Sequence, residues 1–122
     1  MKSPLLIVIV LASMITSCSP RSVRGIRIVV INESEQPIET VQFWEGDPTK
    51  QDDTPLATAG PIAPQERREV VLQNRPGESS HSTQVTFENG EQISDQGTYA
   101  EGGYTLKKVV TETEITVEYG TY

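Results

Sequence analysis

The sequence predicts an all-β protein: a small seven- or eight-stranded antiparallel β-sandwich, immunoglobulin-like or transthyretin-like, over residues 26–122. Three observations lead to this fold class. No helical stripe of useful length occurs after residue 25, short β-rich runs recur along the chain, and Gly, Pro and Asn separate these runs at short intervals. A small closed barrel is the alternative architecture.

The first half of the domain carries its extended segments between polar turns. The predicted strands of this half are residues 26–31, 38–45, 56–59 and 66–73. Five of the six residues in the first segment are β-branched, which favours a strand. In the second, Val41 and Phe43 alternate with Gln42 and Trp44, so we expect Val41 and Phe43 to face the core and Trp44 to point outward.

The second half adds two predicted hairpins. Its extended segments are residues 83–87, 91–94, 98–101, 104–110 and 114–119. Asn89-Gly90 predicts a two-residue type I′ turn between the first two of these segments. Gly102-Gly103 predicts a second hairpin between the next two.

The N-terminus has the layout of a secretory signal over residues 1–17. Lys2 supplies a positive charge, a continuous apolar run follows at residues 5–12, and small or polar residues come next. The whole stretch of residues 4–15 is shorter than the roughly 20 residues that a helix needs to cross a bilayer. The sequence therefore predicts a removable signal and no permanent transmembrane anchor.

Residues 15–18, Ile-Thr-Ser-Cys, resemble the lipobox of bacterial lipoproteins. The resemblance covers about the first 20 residues, and Ile15 stands where Leu is commoner. It implies cleavage before Cys18 and a diacylglyceryl group on the Cys18 thiol. It also implies a cell-envelope location, and Ser19 after the cysteine implies an outer-membrane anchor facing the periplasm in a cell with two membranes. The alternative is an ordinary secreted protein with a free thiol, because Cys18 is the only cysteine.

After the signal, a short tether over residues 18–25 leads into an acidic domain. Residues 18–122 contain 17 acidic and 9 basic side chains, a net charge of −8. This balance argues against binding to nucleic acid, which requires clustered Lys and Arg. It suits either a self-repelling soluble domain or a basic partner.

The residue types needed for catalysis or metal binding are scarce. His81 is the only histidine and lies in a predicted Ser-rich loop over residues 74–81, where we expect it to be solvated. Zinc sites need several Cys or His ligands, which this chain lacks. Glu45, Asp47, Asp52 and Asp53 form an acidic loop that fits no EF-hand spacing and contains Lys50, so a solvated loop is favoured over a calcium site. We expect no enzyme activity, no metal and no cofactor.

The candidate contacts for a partner are aromatic and acidic. They are Trp44, Asp47, Asp52, Asp53, Tyr99 and Tyr104. Exposed Trp and Tyr are favoured anchors of protein interfaces, although Trp44 packed at the end of the sandwich and tyrosines in cross-strand pairs are the structural alternatives.

Together these features predict a membrane-anchored, non-catalytic envelope lipoprotein whose β-sandwich binds a protein. The alternatives are an immunity or inhibitor lipoprotein that neutralises a basic toxin or hydrolase, and a carbohydrate- or peptidoglycan-binding module.

Overall fold

The computed structural model describes residues 25–46, 54–73, 80–95 and 97–120, which form nine strands. The strands are β1 (Ile26–Asn32), β2 (Ile38–Glu45), β3 (Ala57–Ala59), β4 (Arg67–Leu72), β5 (Ser80–Phe87), β6 (Gln92–Ser94), β7 (Thr98–Tyr99), β8 (Thr105–Val110) and β9 (Ile115–Tyr119). The predicted segments at Asp47, Asp52 and Asp53 and at residues 1–24 lie outside the described residues.

The strands form two sheets, which confirms the predicted all-β sandwich. One sheet has the order β4-β1-β8-β9, and the other has the order β3-β2-β5-β6, with β7 also paired to β5. The pair β1–β8 is parallel, whereas the other strand pairs that the structure describes are antiparallel. The first two strands lie in different sheets, unlike those of an immunoglobulin constant domain.

Apolar side chains from both sheets meet between them. The core consists of Ile26, Ile28, Val30, Ile38, Val41, Phe43, Ile62, Leu72, Val85, Phe87, Ala100, Leu106 and Val110. The strand alternation in the sequence predicted the inward residues of β2, Val41 and Phe43, correctly, because successive side chains of a strand point to opposite faces. Burial of these side chains is the main favourable contribution to folding.

Trp44 corrects one expectation about exposure. It lies out of phase with Val41 and Phe43, as the alternation predicts, and it is not part of the core cluster. Its side chain is nevertheless only 9 % exposed, so the prediction that it projects into solvent is wrong. The alternation of one strand indicates which face a residue occupies, but it carries no information about what covers that face.

Of the two predicted hairpins, one forms. The strands β5 and β6 pair around Asn89-Gly90. The turn is not type I′, because Gly90 has a φ of +94° and Asn89 does not have a positive φ. Backbone N–H groups of Gly90 and Phe87 donate to Phe87 and Glu91, respectively, at 2.9 and 2.8 Å, as in a three-residue loop with a type I turn and a glycine bulge.

The second predicted hairpin, at Gly102-Gly103, is wrong. The strand before it, β7, pairs with β5, and the strand after it, β8, pairs with β1 and β9. The glycine pair therefore carries the chain from one sheet to the other. A glycine turn reverses the chain locally, whereas the pairing of the flanking strands depends on tertiary contacts.

Two features are absent from the residues that the structure describes. None of the described segments forms a helix with the length and apolar character needed to cross a bilayer. Within the same ranges, no three His, Cys, Asp or Glu side chains converge as metal ligands would.

Candidate functional site

One end of the sandwich collects the predicted contact residues that lie within the described ranges, Trp44, Tyr99 and Tyr104. At this end β1 begins, β2 ends and β5 begins, as shown by the Gly46 N–H donating to the Ser80 carbonyl at 3.0 Å. The turn before β8 lies there too, since the Gly103 N–H donates to the Gly25 carbonyl at 3.0 Å. Because the described chain enters the domain at Gly25, we call this the entry end.

Three tyrosines form an exposed cluster at the entry end. The rings of Tyr99 and Tyr104 lie 6.0 Å apart at 81°, and those of Tyr104 and Tyr119 lie 6.2 Å apart at 83°. Both pairs have the edge-to-face geometry that aromatic rings favour. The three residues are 39, 36 and 53 % exposed, respectively. We call Tyr99, Tyr104 and Tyr119 the tyrosine cluster.

Hydrogen bonds fix this cluster across the two sheets. The Tyr119 hydroxyl, on β9, donates to the backbone carbonyl of Tyr99, on β7, at 2.8 Å. The Tyr99 hydroxyl donates to the carboxylate of Glu101. Since β7 and β9 belong to different sheets, the cluster exists only because the sandwich closes at this end.

One carboxylate lies directly beside the cluster, because Glu101 is in contact with Tyr99. Glu118 precedes Tyr119 on β9, so its side chain points to the opposite face of the sheet, where it pairs with Lys107 at 3.4 Å. The surface therefore offers aromatic faces beside the Glu101 carboxylate, a combination that suits a cationic side chain of a partner.

The structure brings together only some of the predicted contact residues. Tyr99 and Tyr104 lie side by side, and they are joined by Tyr119, which was not among the predicted contacts. Trp44 lies near the same end, one residue before Glu45, but it is buried. Its indole Nε1 has no hydrogen-bond acceptor among the described residues. A buried Trp44 is not available as an anchor for a partner.

His81 is buried within a strand, which corrects its predicted position in a solvated loop. It lies in β5, is 1 % exposed, and its ring centroid is 6.1 Å from that of Phe43. The polar residues around His81 in the sequence indicated a loop, but in β5 His81 pairs with Glu45 of β2 on one side and with Thr98 of β7 on the other. Its sequence neighbour Ser82 donates to the Gly46 carbonyl at 2.6 Å.

A buried ion pair was missed by the sequence analysis. The Lys108 side chain is fully buried, and its Nζ donates to Asp95 Oδ2 at 2.7 Å, to Thr83 Oγ1 at 2.6 Å and to Thr98 Oγ1 at 3.2 Å. Asp95 Oδ1 accepts the Thr83 N–H at 2.8 Å. The three protons of the ammonium group thus have three acceptors, and Nζ lies 5.8 Å from the centroid of the Phe43 ring.

Burial lowers the pKa of Lys108 below 10.5, because the cost of desolvating the ammonium exceeds the attraction of Asp95. One signal in the sequence pointed to this group: Lys108 lies between Leu106 and Val110 with the same strand parity, and all three are buried. Because its side chain has no solvent exposure, Lys108 is sealed from any substrate in this structure. We interpret this group as a structural ion pair.

The comparisons with known proteins identify no family. No protein-family model matches the chain, and no curated protein matches it. Solved structures do resemble it. An NMR structure of a protein from Eubacterium rectale has 11 % identity and a TM-score of 0.55, with 86 % of this chain and 97 % of that chain covered.

Two further structures share part of their length with this chain. An (S)-allantoin synthase has 8 % identity and a TM-score of 0.51, with 83 % of this chain and 45 % of that chain covered. A candidate cell adhesion protein from Bacteroides ovatus has 10 % identity and a TM-score of 0.48, with 80 % and 44 % covered. The chain thus spans less than half of either protein. At such low identity, the similarities to the Eubacterium rectale protein and to the allantoin synthase show the fold alone.

Proposed function

We propose that this protein is a membrane-anchored, non-catalytic lipoprotein of the bacterial cell envelope whose β-sandwich binds a protein partner. The observation that carries the proposal is the tyrosine cluster, in which three partly exposed rings are held in a fixed arrangement at one end of the domain. Tyrosine is enriched among the residues that dominate the binding energy of protein interfaces.

The fixed geometry of the rings favours binding. Each edge-to-face contact, together with the hydroxyl bonds of Tyr99 and Tyr119, restricts the side chains before a partner arrives. Ordering a free side chain on association costs about 0.5–1.5 kcal/mol, and rings that are already ordered avoid much of that cost. A preorganised aromatic patch therefore offers contact area at a low entropic cost.

The lipobox resemblance supplies the anchor in this proposal. A single acyl chain binds a bilayer only reversibly, whereas two or more hold it stably, because each buried methylene contributes about 0.8 kcal/mol. A diacylglyceryl group on Cys18 meets this condition. In a cell with two membranes, Ser19 at the sorting position places this anchor, in the proposal, in the outer membrane facing the periplasm.

No catalytic role is proposed for the two basic side chains that are buried among the described residues. His81 and Lys108 are 1 % and 0 % exposed, and neither reaches the surface of the entry end. The net charge of −8 also keeps an inhibitor of a basic toxin or hydrolase as a second candidate, because complementary charge speeds association. A sugar-stacking role is less favoured, since adjacent rings stand nearly perpendicular to each other and Trp44 is buried.

Two measurements test this proposal. The intact mass of the native protein from its bacterial host is expected to equal that of a chain beginning at Cys18 plus the added lipid. Chemical crosslinking in cells is expected to give a discrete protein adduct that Tyr104→Ala weakens and that Thr113→Ala, at an exposed turn of the opposite end, leaves unchanged. An unmodified thiol on Cys18 would refute the anchor, and an adduct insensitive to Tyr104→Ala would refute the binding site.

A further inference from the structure

We infer that the partner of the tyrosine cluster is itself a membrane-resident protein, one that presents basic side chains at the bilayer surface. This inference rests on the lipid anchor and the protein-binding role proposed above. It goes beyond them by naming where the partner resides. The deciding observation is that the chain enters the domain beside the tyrosine cluster.

The contacts at the entry point establish this proximity. The Gly25 carbonyl accepts the Gly103 N–H at 3.0 Å, and the Arg27 N–H donates to the Tyr104 carbonyl at 3.0 Å. Tyr104, the central ring of the cluster, is thus bonded through its backbone to the first strand of the domain. An anchor that keeps Gly25 near the bilayer therefore keeps the tyrosine cluster near it as well.

The covalent chain limits how far Gly25 can be from an anchored Cys18. Seven residue steps separate them, and a fully extended chain spans at most about 3.6 Å per residue, or about 25 Å in total. A globular domain of about 100 residues has a radius of gyration near 13 Å and is thus roughly 30 Å across. The tyrosine cluster, which is bonded to the strand that follows Gly25, is therefore kept within about one domain diameter of the bilayer, where a protein embedded in or attached to that membrane can reach it.

The small size of the tyrosine cluster also favours a membrane-resident partner. A stable interface between freely diffusing proteins buries roughly 800 Å² on each partner and uses 20–30 residues a side. Three tyrosines form only the centre of such a surface. Confinement of both proteins to one membrane raises their effective concentration, so a small patch suffices for binding.

The carboxylate beside the rings indicates the chemistry of the partner. Glu101 contacts Tyr99. Arginine or lysine placed over a tyrosine face gains a cation–π attraction, and a neighbouring carboxylate adds to it. A basic surface on the partner therefore matches the cluster and the net charge of −8.

The test uses the full-length protein in its bacterial host, with a photo-crosslinking amino acid in place of Tyr104. A matched control places the same amino acid at Thr113, which is exposed in the turn between β8 and β9. Each version is made with the natural tether and with 20 Gly and Ser residues inserted after Ser22. The insertion lengthens the link from Cys18 to Gly25 from 7 to 27 residues.

We expect a protein adduct from position 104 and a much weaker one from position 113. Effective concentration falls roughly as the −3/2 power of the link length, so the insertion is expected to reduce the yield of the adduct about eightfold. Glu101→Lys with the natural tether is expected to reduce it as well, because it repels a basic surface.

The other outcomes separate the two proposals. An adduct whose yield is unchanged or increased by the insertion overturns the membrane-resident partner, while the protein-binding role stands. An adduct with phospholipid instead of protein, or no adduct at position 104, overturns the protein-binding role itself. An adduct that Glu101→Lys strengthens refutes the basic character of the partner.

Discussion

Replacing Lys108 by Met is expected to lower the free energy of unfolding by about 3–5 kcal/mol. Met has nearly the volume of Lys, so the packing around Leu106 and Val110 is retained. The loss comes from Asp95, whose carboxylate is left in the interior without the ammonium group 2.7 Å away. Removal of one partner of a buried ion pair is costly for this reason, whereas removal of both is often tolerated.

The neighbouring lysine provides a matched control on the same strand. Lys107 pairs with Glu118 at 3.4 Å, and the two side chains are 25 % and 47 % exposed. Solvent screens this pair, so Lys107→Met is expected to cost less than about 1 kcal/mol. The double variant Lys108→Met/Asp95→Asn is expected to be more stable than Lys108→Met alone, because the amide that replaces the carboxylate carries no charge and keeps an acceptor for the Thr83 N–H.

Urea denaturation followed by circular dichroism and by Trp44 fluorescence measures these differences. Trp44 is the only tryptophan and is 9 % exposed, so its emission reports the opening of the domain. If Lys108→Met and Lys107→Met cost the same, the interpretation of Lys108 as a sealed ion pair is wrong. The single variant Asp95→Asn completes the comparison. If the stability lost by the double variant equals the sum of the losses of Lys108→Met and Asp95→Asn, Lys108 and Asp95 are not coupled.

Further changes test other parts of the structure. Because burial lowers the pKa of Lys108, the unfolded state binds more protons than the folded state between this lowered pKa and 10.5. The stability of the wild type relative to Lys108→Met is therefore expected to rise with pH across that window. A stability difference that does not change with pH in urea titrations would contradict this. Gly60→Ala is expected to lower the free energy of unfolding by about 3 kcal/mol or more, because a Cβ there would lie 2.3 Å from the Glu39 carbonyl oxygen at a φ of +129°. Gly90→Ala, also at a positive φ but with nothing within 4 Å of the added Cβ, is expected to lower it by only about 1–2 kcal/mol. Equal losses in thermal unfolding would contradict the clash at Gly60. Tyr104→Ala removes two edge-to-face contacts of about 0.5–1.5 kcal/mol each, so it is expected to lower stability by no more than about 3 kcal/mol; a variant that fails to fold would show that the cluster is mainly structural. Cys18→Ser removes the acylated thiol and is expected to abolish lipidation and membrane attachment. If this variant has a lipid-free mass but still partitions into detergent as the wild type does, lipidation is not the anchor.

Local patterns were reliable where one strand decides the outcome. The alternation around Val41 and Phe43 identified core residues, and Asn89-Gly90 located the hairpin that forms. The same parity argument, applied to β8, places Lys108 beside Leu106 and Val110 on the buried face. It was missed because a lysine in a strand is normally assigned to solvent, and only a nearby carboxylate makes its burial tolerable.

Exposure and strand pairing were less predictable from local patterns. Serines around His81 indicated a loop, yet the pairing of β5 with both β2 and β7 buries this histidine. Trp44 lies on the predicted face, but it is covered. In both cases the burial of a side chain depends on segments that are distant in the sequence.

The sequence by itself determined the β-rich character of the domain, the core faces of individual strands and the turn at Asn89-Gly90, because these depend on side-chain alternation and backbone preferences of neighbouring residues. The tertiary structure decided the parallel pairing of β1 with β8 and the meeting of Lys108 with Asp95. It also decided the assembly of Tyr99, Tyr104 and Tyr119 from two sheets. These contacts join residues on separate strands, and they form only when the two sheets pack face to face.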